Sequence, residues 1–268
     1  MVKEKRGEKM GRVEKRLQKD RKRRKILTRI FLVILIIAIC YIGFIFFRSE
    51  DEQKETEELL NTVAIDKTEI TETKTERMLQ LEKLKEEYPN IVAWIEIEGT
   101  NINYPVMQTD NNDYYVKHNH KGEETRRGAI FLDKDYDWSI PSSNLLVYGH
   151  NNDGTMFSEL LDYKSEEFYK EHPTIKFTTE QEDVEYEIIA VFLSRVYYKS
   201  EKNVFRYYYF VNAENEEEYN NYVENAKKAS LYDTDKTAQY GDQLLTLSTC
   251  EYSQDDGRFV VVARKKTE

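Results

Sequence analysis

An uncharged apolar segment near the N-terminus most strongly constrains how this chain folds. Residues 30–47 contain no charged side chain and consist mainly of Ile, Leu, Val and Phe. With Ile26 and Leu27, the stretch reaches the roughly 20 residues that an α-helix needs to cross a bilayer. A cleaved signal peptide is the alternative, but its apolar region spans only about 7 to 15 residues and ends in small side chains. Here the segment ends in two Phe, so we predict an uncleaved membrane anchor over residues 26–47.

The charge distribution gives this anchor a direction. Residues 1–25 hold 13 Lys and Arg against 4 Asp and Glu, and a basic flank of this kind stays in the cytoplasm. The predicted location is therefore the cell membrane, single-pass, with residues 48–268 extracellular. The formal net charge is −10, and with +9 on residues 1–25 and +1 from Arg29, residues 48–268 carry −20. Such an acidic region argues against nucleic acid as a partner, because that partner requires a positive surface.

Composition divides the chain into four predicted regions. Residues 1–25 form the basic cytoplasmic tail and residues 26–47 the transmembrane anchor. Residues 48–70 are polar and acidic with few apolar side chains, which is typical of a solvated stalk. Residues 71–268 are long enough for one domain with a sizeable core, and we predict that this domain carries the function.

The hydrophobic pattern of this domain is mostly β with helical inserts. A helix with one apolar stripe is predicted between Thr71 and Pro89, packed on the domain. Two inserted helices follow, one after His150 and one over about 212–231. Eight short runs rich in Val, Ile, Tyr and Phe, separated by Asn, Asp and Gly, predict a β-barrel or a β-sandwich. These runs are Val92–Ile97, Tyr104–Met107, Gly128–Leu132, Leu145–Tyr148, Ile175–Thr178, Tyr186–Leu193, Leu244–Leu247 and Phe259–Ala263.

The cysteine content draws attention to Cys250. Cys40 lies in the predicted anchor, so the exported thiol has no internal disulfide partner and is inert, paired with another chain, or a nucleophile. His150 ends one predicted strand and Arg258 precedes another. If these strand ends share a rim, the imidazolium would favour the thiolate and protonate a leaving amine, while the guanidinium would stabilise an oxyanion. Each group also fits an ordinary structural role, so the residues alone leave both readings open.

The surroundings of these three residues resemble the sortases, the membrane-anchored cysteine transpeptidases of Gram-positive bacteria. The segment Leu247–Cys250 is followed by a Val-rich strand that Arg258 opens, and Tyr148–His150 lies upstream. The likeness extends over about Met78–Lys265. The Ser before Thr-Cys, the helix after the His and the long insert before the Cys strand are similar to class B. The resemblance implies an eight-stranded β-barrel with an N-terminal helix packed on it. No cofactor is expected, and the residues themselves predict no metal site.

The resemblance also assigns roles residue by residue. The nucleophile falls on Cys250, the general acid on His150, and the arginine that holds the oxyanion or substrate on Arg258. Further residues are implied to line the substrate site: Asn112, Val116, Val204, Phe205, Ser248 and Glu251.

The implied reaction cleaves a sorting motif of secreted proteins after threonine, through a thioester, and transfers the acyl group to a cell-wall peptidoglycan amine. The expected partners are sorting-motif-bearing surface proteins, the peptidoglycan precursor amine and the membrane. One alternative is a pilin-polymerising sortase with a protein lysine as acceptor. Such enzymes often carry an Asp-Pro-aromatic lid, which residues 48–88 lack. The other alternative is an exported domain that binds peptides or cell-wall material without catalysis, in which Cys250→Ala would leave the biological role intact.

Overall fold

The computed structural model describes most of the chain as two compact units, Met1–Phe47 and Arg48–Glu268. The backbone is described over residues 2–71, 74–140, 142–152 and 154–267, and the side chains over the same ranges outside 2–22, 45–53 and 67. The first unit belongs to a long helix, α1 (Val2–Asn61). Within it, Arg23–Phe44 is long and apolar enough to cross a membrane, by length and composition. Most side chains of the predicted basic tail lie outside the described residues.

The second unit is built on a closed eight-stranded β-barrel, as predicted. Its strands are β1 (Ile91–Glu96), β2 (Asn103–Met107), β3 (Ile130–Leu132), β4 (Asn144–Tyr148), β7 (Thr174–Thr178), β8 (Asp183–Arg195), β9 (Leu244–Cys250) and β10 (Gly257–Lys265), and a separate hairpin joins β5 (Asn151–Asn152) to β6 (Thr155–Met156). The order around the barrel is β1-β2-β3-β4-β9-β10-β8-β7. Two pairs are parallel, β2 with β3 and β4 with β9, and the other pairs are antiparallel. Each of the eight predicted runs is therefore a barrel strand.

A continuous apolar core fills and surrounds this barrel. The run 259–263 of β10 is apolar throughout and completely buried. It shows no polar alternation because both faces of the strand are covered. The helix α4 (Glu216–Ala229), the predicted insert before β9, packs against β8 with the rings of Tyr219 and Tyr222 buried. The barrel rim is thereby set on a rigid, fully packed base.

The other helical insert differs from the prediction of one helix after His150. It forms a 3-10 helix (Ser158–Lys164) and a short helix α3 (Glu166–Glu171). Ser165 separates them because its backbone is extended, and its hydroxyl accepts a hydrogen bond from the N–H of Phe168. An extended residue with this side-chain contact is a helix N-cap, which ends one helix and begins the next.

The predicted N-terminal helix of the domain is α2 (Glu76–Glu87), and it packs on the barrel. Its N-cap is Thr75, whose hydroxyl accepts from the N–H of Met78. Leu81 and Leu84 are buried in a cluster with Trp94 and Ile91 of β1 and Phe131 of β3. This helix therefore closes one side of the barrel.

The end of α1 joins the same cluster. The domain boundaries remain predictions, but the expectation that residues 48–70 are solvated is wrong for Thr56 and Leu59, whose side chains are buried. Leu59 packs in the cluster that includes Leu81 of α2. The reason is the hydrophobic effect, because burying an apolar side chain against an apolar surface stabilises the folded state even when its neighbours in sequence are polar.

We expect Leu81→Ala to lower the free energy of unfolding by about 2–5 kcal/mol, because it removes a fully buried side chain and leaves a cavity. Urea unfolding of the full-length chain in detergent micelles, followed by tryptophan fluorescence, measures the change. Leu231→Ala is the matched control, since Leu231 is 45% exposed. An equal effect of the two substitutions would contradict the packing of α2 on the barrel.

Candidate active site

Cys250 is the last residue of β9 and lies at one rim of the barrel. The antiparallel register pairs it directly with Arg258 of β10. Side chains that are directly opposite in such a pair share one face, with Cβ atoms about 4.5–5.5 Å apart. Thiol and guanidinium are therefore neighbours, and both side chains are half-buried.

The connection between β9 and β10 holds the guanidinium in place. Nη1 of Arg258 donates to the carbonyl oxygens of Gly257 (2.9 Å) and Asp256 (3.3 Å). Gly257 is required here, because a Cβ at this position would lie 2.2 Å from the carbonyl oxygen of Glu251. The tight turn therefore fixes the arginine beside the thiol.

His150 reaches the same rim from β4. The parallel register aligns Tyr148 with Ser248, so His150 and Cys250 hold corresponding positions just beyond this ladder. The contact continues past the last aligned pair, because the N–H of Gly149 donates to the carbonyl of Ser248 (3.1 Å). The Asn151 amide likewise donates to the carbonyl of Cys250 (3.2 Å). Imidazole, thiol and guanidinium all line one groove.

The orientation of the His150 ring is set by a backbone carbonyl. Nε2 lies 2.8 Å from the carbonyl oxygen of Val116. A carbonyl oxygen can only accept, so Nε2 carries a hydrogen and donates it. No hydrogen bond among the described residues engages Nδ1. It is therefore the nitrogen that can exchange a proton with a molecule bound in the groove.

The groove has a volume of about 540 Å³, within the range typical of ligand sites. Three of the predicted substrate residues line it, Asn112, Val116 and Ser248. The structure adds two side chains that the sequence did not single out, Phe131 and Val196. It also places Tyr207 and Tyr208 in the lining, from a tyrosine run that the sequence offers as groove lining or, more simply, as core packing. The lining is therefore rich in aromatic side chains, which suits a peptide with apolar side chains.

Tyr207 is the most informative of these additions. It is buried, and its hydroxyl lies 2.7 Å from that of Ser248, two residues before the cysteine. Burial raises its pKa well above the ordinary value, so the hydroxyl stays neutral. The tyrosine run 207–209 is visible in the sequence, but core packing explains such a run equally well, and only the fold brings it to the groove.

The other three predicted substrate residues do not line the groove. Phe205 packs into the core, with its ring 5.8 Å from that of Phe192 and 5.5 Å from that of Tyr222. Val204, beside it, is half-buried and outside the lining. Glu251 is only 5% exposed, and its carboxylate is engaged by Lys164. Although Glu251 is adjacent to Cys250 in sequence, its side chain does not line the groove.

Glu251 instead stabilises the turn between the thiol and the arginine. Lys164 Nζ donates to its Oε1 (2.8 Å), and the Ser253 N–H donates to its Oε2 (2.9 Å). The hydrogen bonds from Lys164 and then Ser253 lower the pKa of Glu251 to about 2, although partial desolvation opposes them. The carboxylate is therefore charged throughout the neutral range.

Among the described residues, no group of three or more His, Cys, Asp or Glu side chains is arranged to hold a metal ion. The site consists of a thiol, an imidazole and a fixed guanidinium beside a groove large enough for a peptide. These are the parts that an acyl transfer through a cysteine requires. The fold and site thus define a barrel enzyme of the cysteine acyl-transfer class.

Comparison with known proteins identifies the family. The Sortase domain model matches residues 95–266. Sortase B of Staphylococcus aureus is 30% identical over 247 residues, which cover 91% of this chain and 97% of that protein. The crystal structure of sortase B from B. anthracis in complex with AAEK1 has a TM-score of 0.68 and 32% identity, covering 83% of this chain and 100% of that one. The S. aureus sortase B–substrate complex has a TM-score of 0.65 and 28% identity, covering 81% and 94%.

The chain belongs to the sortase family, with its greatest similarity to class B, and is a cysteine transpeptidase with a role in cell-wall sorting. The alternative of an exported domain without catalysis is set aside by this membership.

The lowered pKa of Glu251 makes the free energy of unfolding depend on pH in the acidic range. Its folded-state pKa of about 2 lies below the ordinary 4.5, so its contribution is fully present above about pH 4.5. That contribution is lost as the pH falls from 4.5 towards 2. We expect Glu251→Gln to make the free energy of unfolding less steeply dependent on pH in this window, measured by urea unfolding at a series of pH values. Glu217→Gln, on the exposed first turn of α4, is the control, and an unchanged slope in Glu251→Gln would refute the assignment.

Proposed function

We propose that Cys250 is the nucleophile, His150 the general acid and Arg258 the oxyanion-stabilising residue of this transpeptidase. One observation carries the proposal: β9 lies between β4 and β10, in a register that sets the cysteine between the other two residues. A neighbouring histidine and a nearby arginine both favour the thiolate form of a cysteine.

In the first half-reaction, the thiolate of Cys250 attacks the carbonyl carbon of a threonine in the sorting motif of a secreted protein. The Sγ–C bond forms, and the carbonyl oxygen takes the negative charge of the tetrahedral intermediate. Arg258 has five N–H donors, and its contacts with the Asp256 and Gly257 carbonyls use only Nη1, which leaves donors for this oxyanion. The C–N bond then breaks, and the leaving amine receives a proton from His150 Nδ1.

In the second half-reaction, an amine of a peptidoglycan precursor attacks the thioester. His150 takes the proton of the attacking amine, the new C–N bond forms, and Cys250 leaves as the thiolate. The product is the surface protein joined to the cell wall by an amide bond. Similarity to class B sortases over nine-tenths of the chain supports this acceptor over a pilin lysine. The substrate complex of the S. aureus relative supports the groove as the peptide site.

The proposed location follows from the candidate span in α1 and from the charge distribution. Residues 26–47 anchor the protein in the cell membrane, with the basic tail 1–25 in the cytoplasm. Residues 48–70 connect the anchor to the extracellular catalytic domain, residues 71–268. An anchored enzyme meets both of its substrates, the exported protein and the peptidoglycan precursor, at the same membrane surface.

The acyl-enzyme is the decisive test of this mechanism. The full-length chain in micelles is incubated with a panel of short peptides containing threonine, first without and then with triglycine as the amine. We expect mass spectrometry to detect an acyl adduct on Cys250 and then its transfer to triglycine, and we expect neither in Cys250→Ala. Cleavage of any peptide by Cys250→Ala at the wild-type rate would sink the proposal.

The role of His150 is tested separately. We expect His150→Ala to lower kcat/KM for peptide cleavage by about 10²- to 10⁴-fold, the usual contribution of general acid–base catalysis. The control is His172→Gln, because His172 bonds the Glu98 carbonyl and packs on Phe168 outside the groove. If both variants lost activity equally, the effect would be one of folding rather than proton transfer.

A further inference from the structure

A buried carboxylate beside the groove is not used by the proposed mechanism. Asp133 directly follows β3 and is only 3% exposed. Its Oδ2 accepts hydrogen bonds from the Asn112 side-chain amide (2.9 Å) and the Tyr148 hydroxyl (3.0 Å). Its Oδ1 accepts from the backbone N–H of Asp135 (2.9 Å). A buried carboxylate with three donors is well satisfied, so it is held rigidly in one orientation.

Both side-chain donors line the catalytic groove, and they belong to the two segments that orient His150. Tyr148 lies on β4, two residues before the histidine. Asn112 lies in the loop that leads into the 3-10 helix Tyr114–Val116, two residues before that helix. The carbonyl oxygen of Val116 accepts from His150 Nε2. Asp133 thus joins the strand that carries the imidazole to the loop that fixes its tautomer.

We propose that Asp133 is a positioning residue of the transpeptidase: by holding Asn112 and Tyr148 together, its carboxylate keeps the loop at Val116 and the end of β4 in the arrangement that orients His150 towards Cys250. The proposal rests on the proposed function of the His and Cys pair. Asp133 does not itself line the groove, so it acts through its two partners.

The acceptor-only chemistry of a carboxylate explains why an aspartate suits this position. It fixes the direction of the Asn112 amide, whose Nδ2 points to Asp133 while its Oδ1 accepts from the Lys134 N–H (2.8 Å). The second N–H of that amide is then the hydrogen it can offer to a substrate carbonyl. Burial and the Asp133 charge both raise the pKa of Tyr148, so its hydroxyl remains a donor to the carboxylate at every working pH.

The test compares Asp133→Ala with Asp133→Asn in the full-length chain in micelles. Two readouts are taken: kcat/KM for cleavage of the peptide that acylates the wild type, and the pH dependence of Cys250 alkylation by iodoacetamide. For Asp133→Ala we expect kcat/KM to fall about tenfold or more, because misplacing a catalytic group costs rate steeply. We also expect its alkylation profile to move towards that of His150→Ala.

The asparagine variant separates positioning from other effects. The carbonyl oxygen of an asparagine, in the place of Oδ2, still accepts from Tyr148 and Asn112. The substitution loses only the bond from the Asp135 N–H, which belongs to neither segment that orients His150, so we expect Asp133→Asn to recover to within about threefold of the wild type. Asp137→Ala is the matched control, because the Asp137 carboxylate bonds only the nearby Ser139 among the described residues and lies outside the groove. It should change neither readout.

Two outcomes would overturn the proposal. One is a folded Asp133→Ala with the wild-type rate and alkylation profile, and the other is an Asp133→Asn as impaired as the alanine variant. If Asp133→Ala does not fold, Tyr148→Phe and Asn112→Ala carry the test. Each should then move the alkylation profile in the same direction, and the pair should move it by less than the two effects added. Failure of the proposed function is recognised separately, as peptide cleavage that survives Cys250→Ala.

Discussion

The parallel pairing of β4 with β9 is the interaction on which the rest of the structure depends. Its ladder aligns residues a hundred positions apart, from Asn144 with Leu244 to Tyr148 with Ser248. Because parallel strands run in the same direction, the side chains that follow them emerge at the same rim. An antiparallel arrangement of the same two strands would put His150 and Cys250 at opposite ends of the barrel. The chemistry therefore depends on strand direction before it depends on any side chain.

Buried polar contacts hold this pairing in register. Asn144, completely buried at the start of β4, donates to the carbonyl of Phe210 and accepts from the hydroxyl of Thr246 on β9. The Thr246 hydroxyl in turn lies 2.8 Å from that of Tyr222 on α4. A slip of β4 along β9 would leave these groups unpaired in the core, at a cost of about 1–3 kcal/mol each. The network thus stabilises the one alignment that brings the three rim residues together.

The eight strands were predictable because each is a local signal, a short β-rich run between turn residues. Their order around the barrel was not, since it rests on contacts between distant segments. The two parallel pairs and the burial of Leu59 belong to this second kind of information. The three rim residues are candidates from the residues alone, and the family resemblance then favours a catalytic role for them over an ordinary structural one. The orientations of the Phe205 and Glu251 side chains could not be predicted, because each is set by a contact with a residue on another element.

The position of β9 and β10 in the barrel has a consequence for biogenesis. These C-terminal strands do not close an edge but fill the gap between β4 and β8. During synthesis, the barrel therefore stays open until β9 and β10 are available, and such distant pairings form slowly. In an incomplete chain the thiol therefore lacks the histidine or the arginine beside it. Cys250 therefore gains the histidine and the arginine as neighbours only in the finished fold.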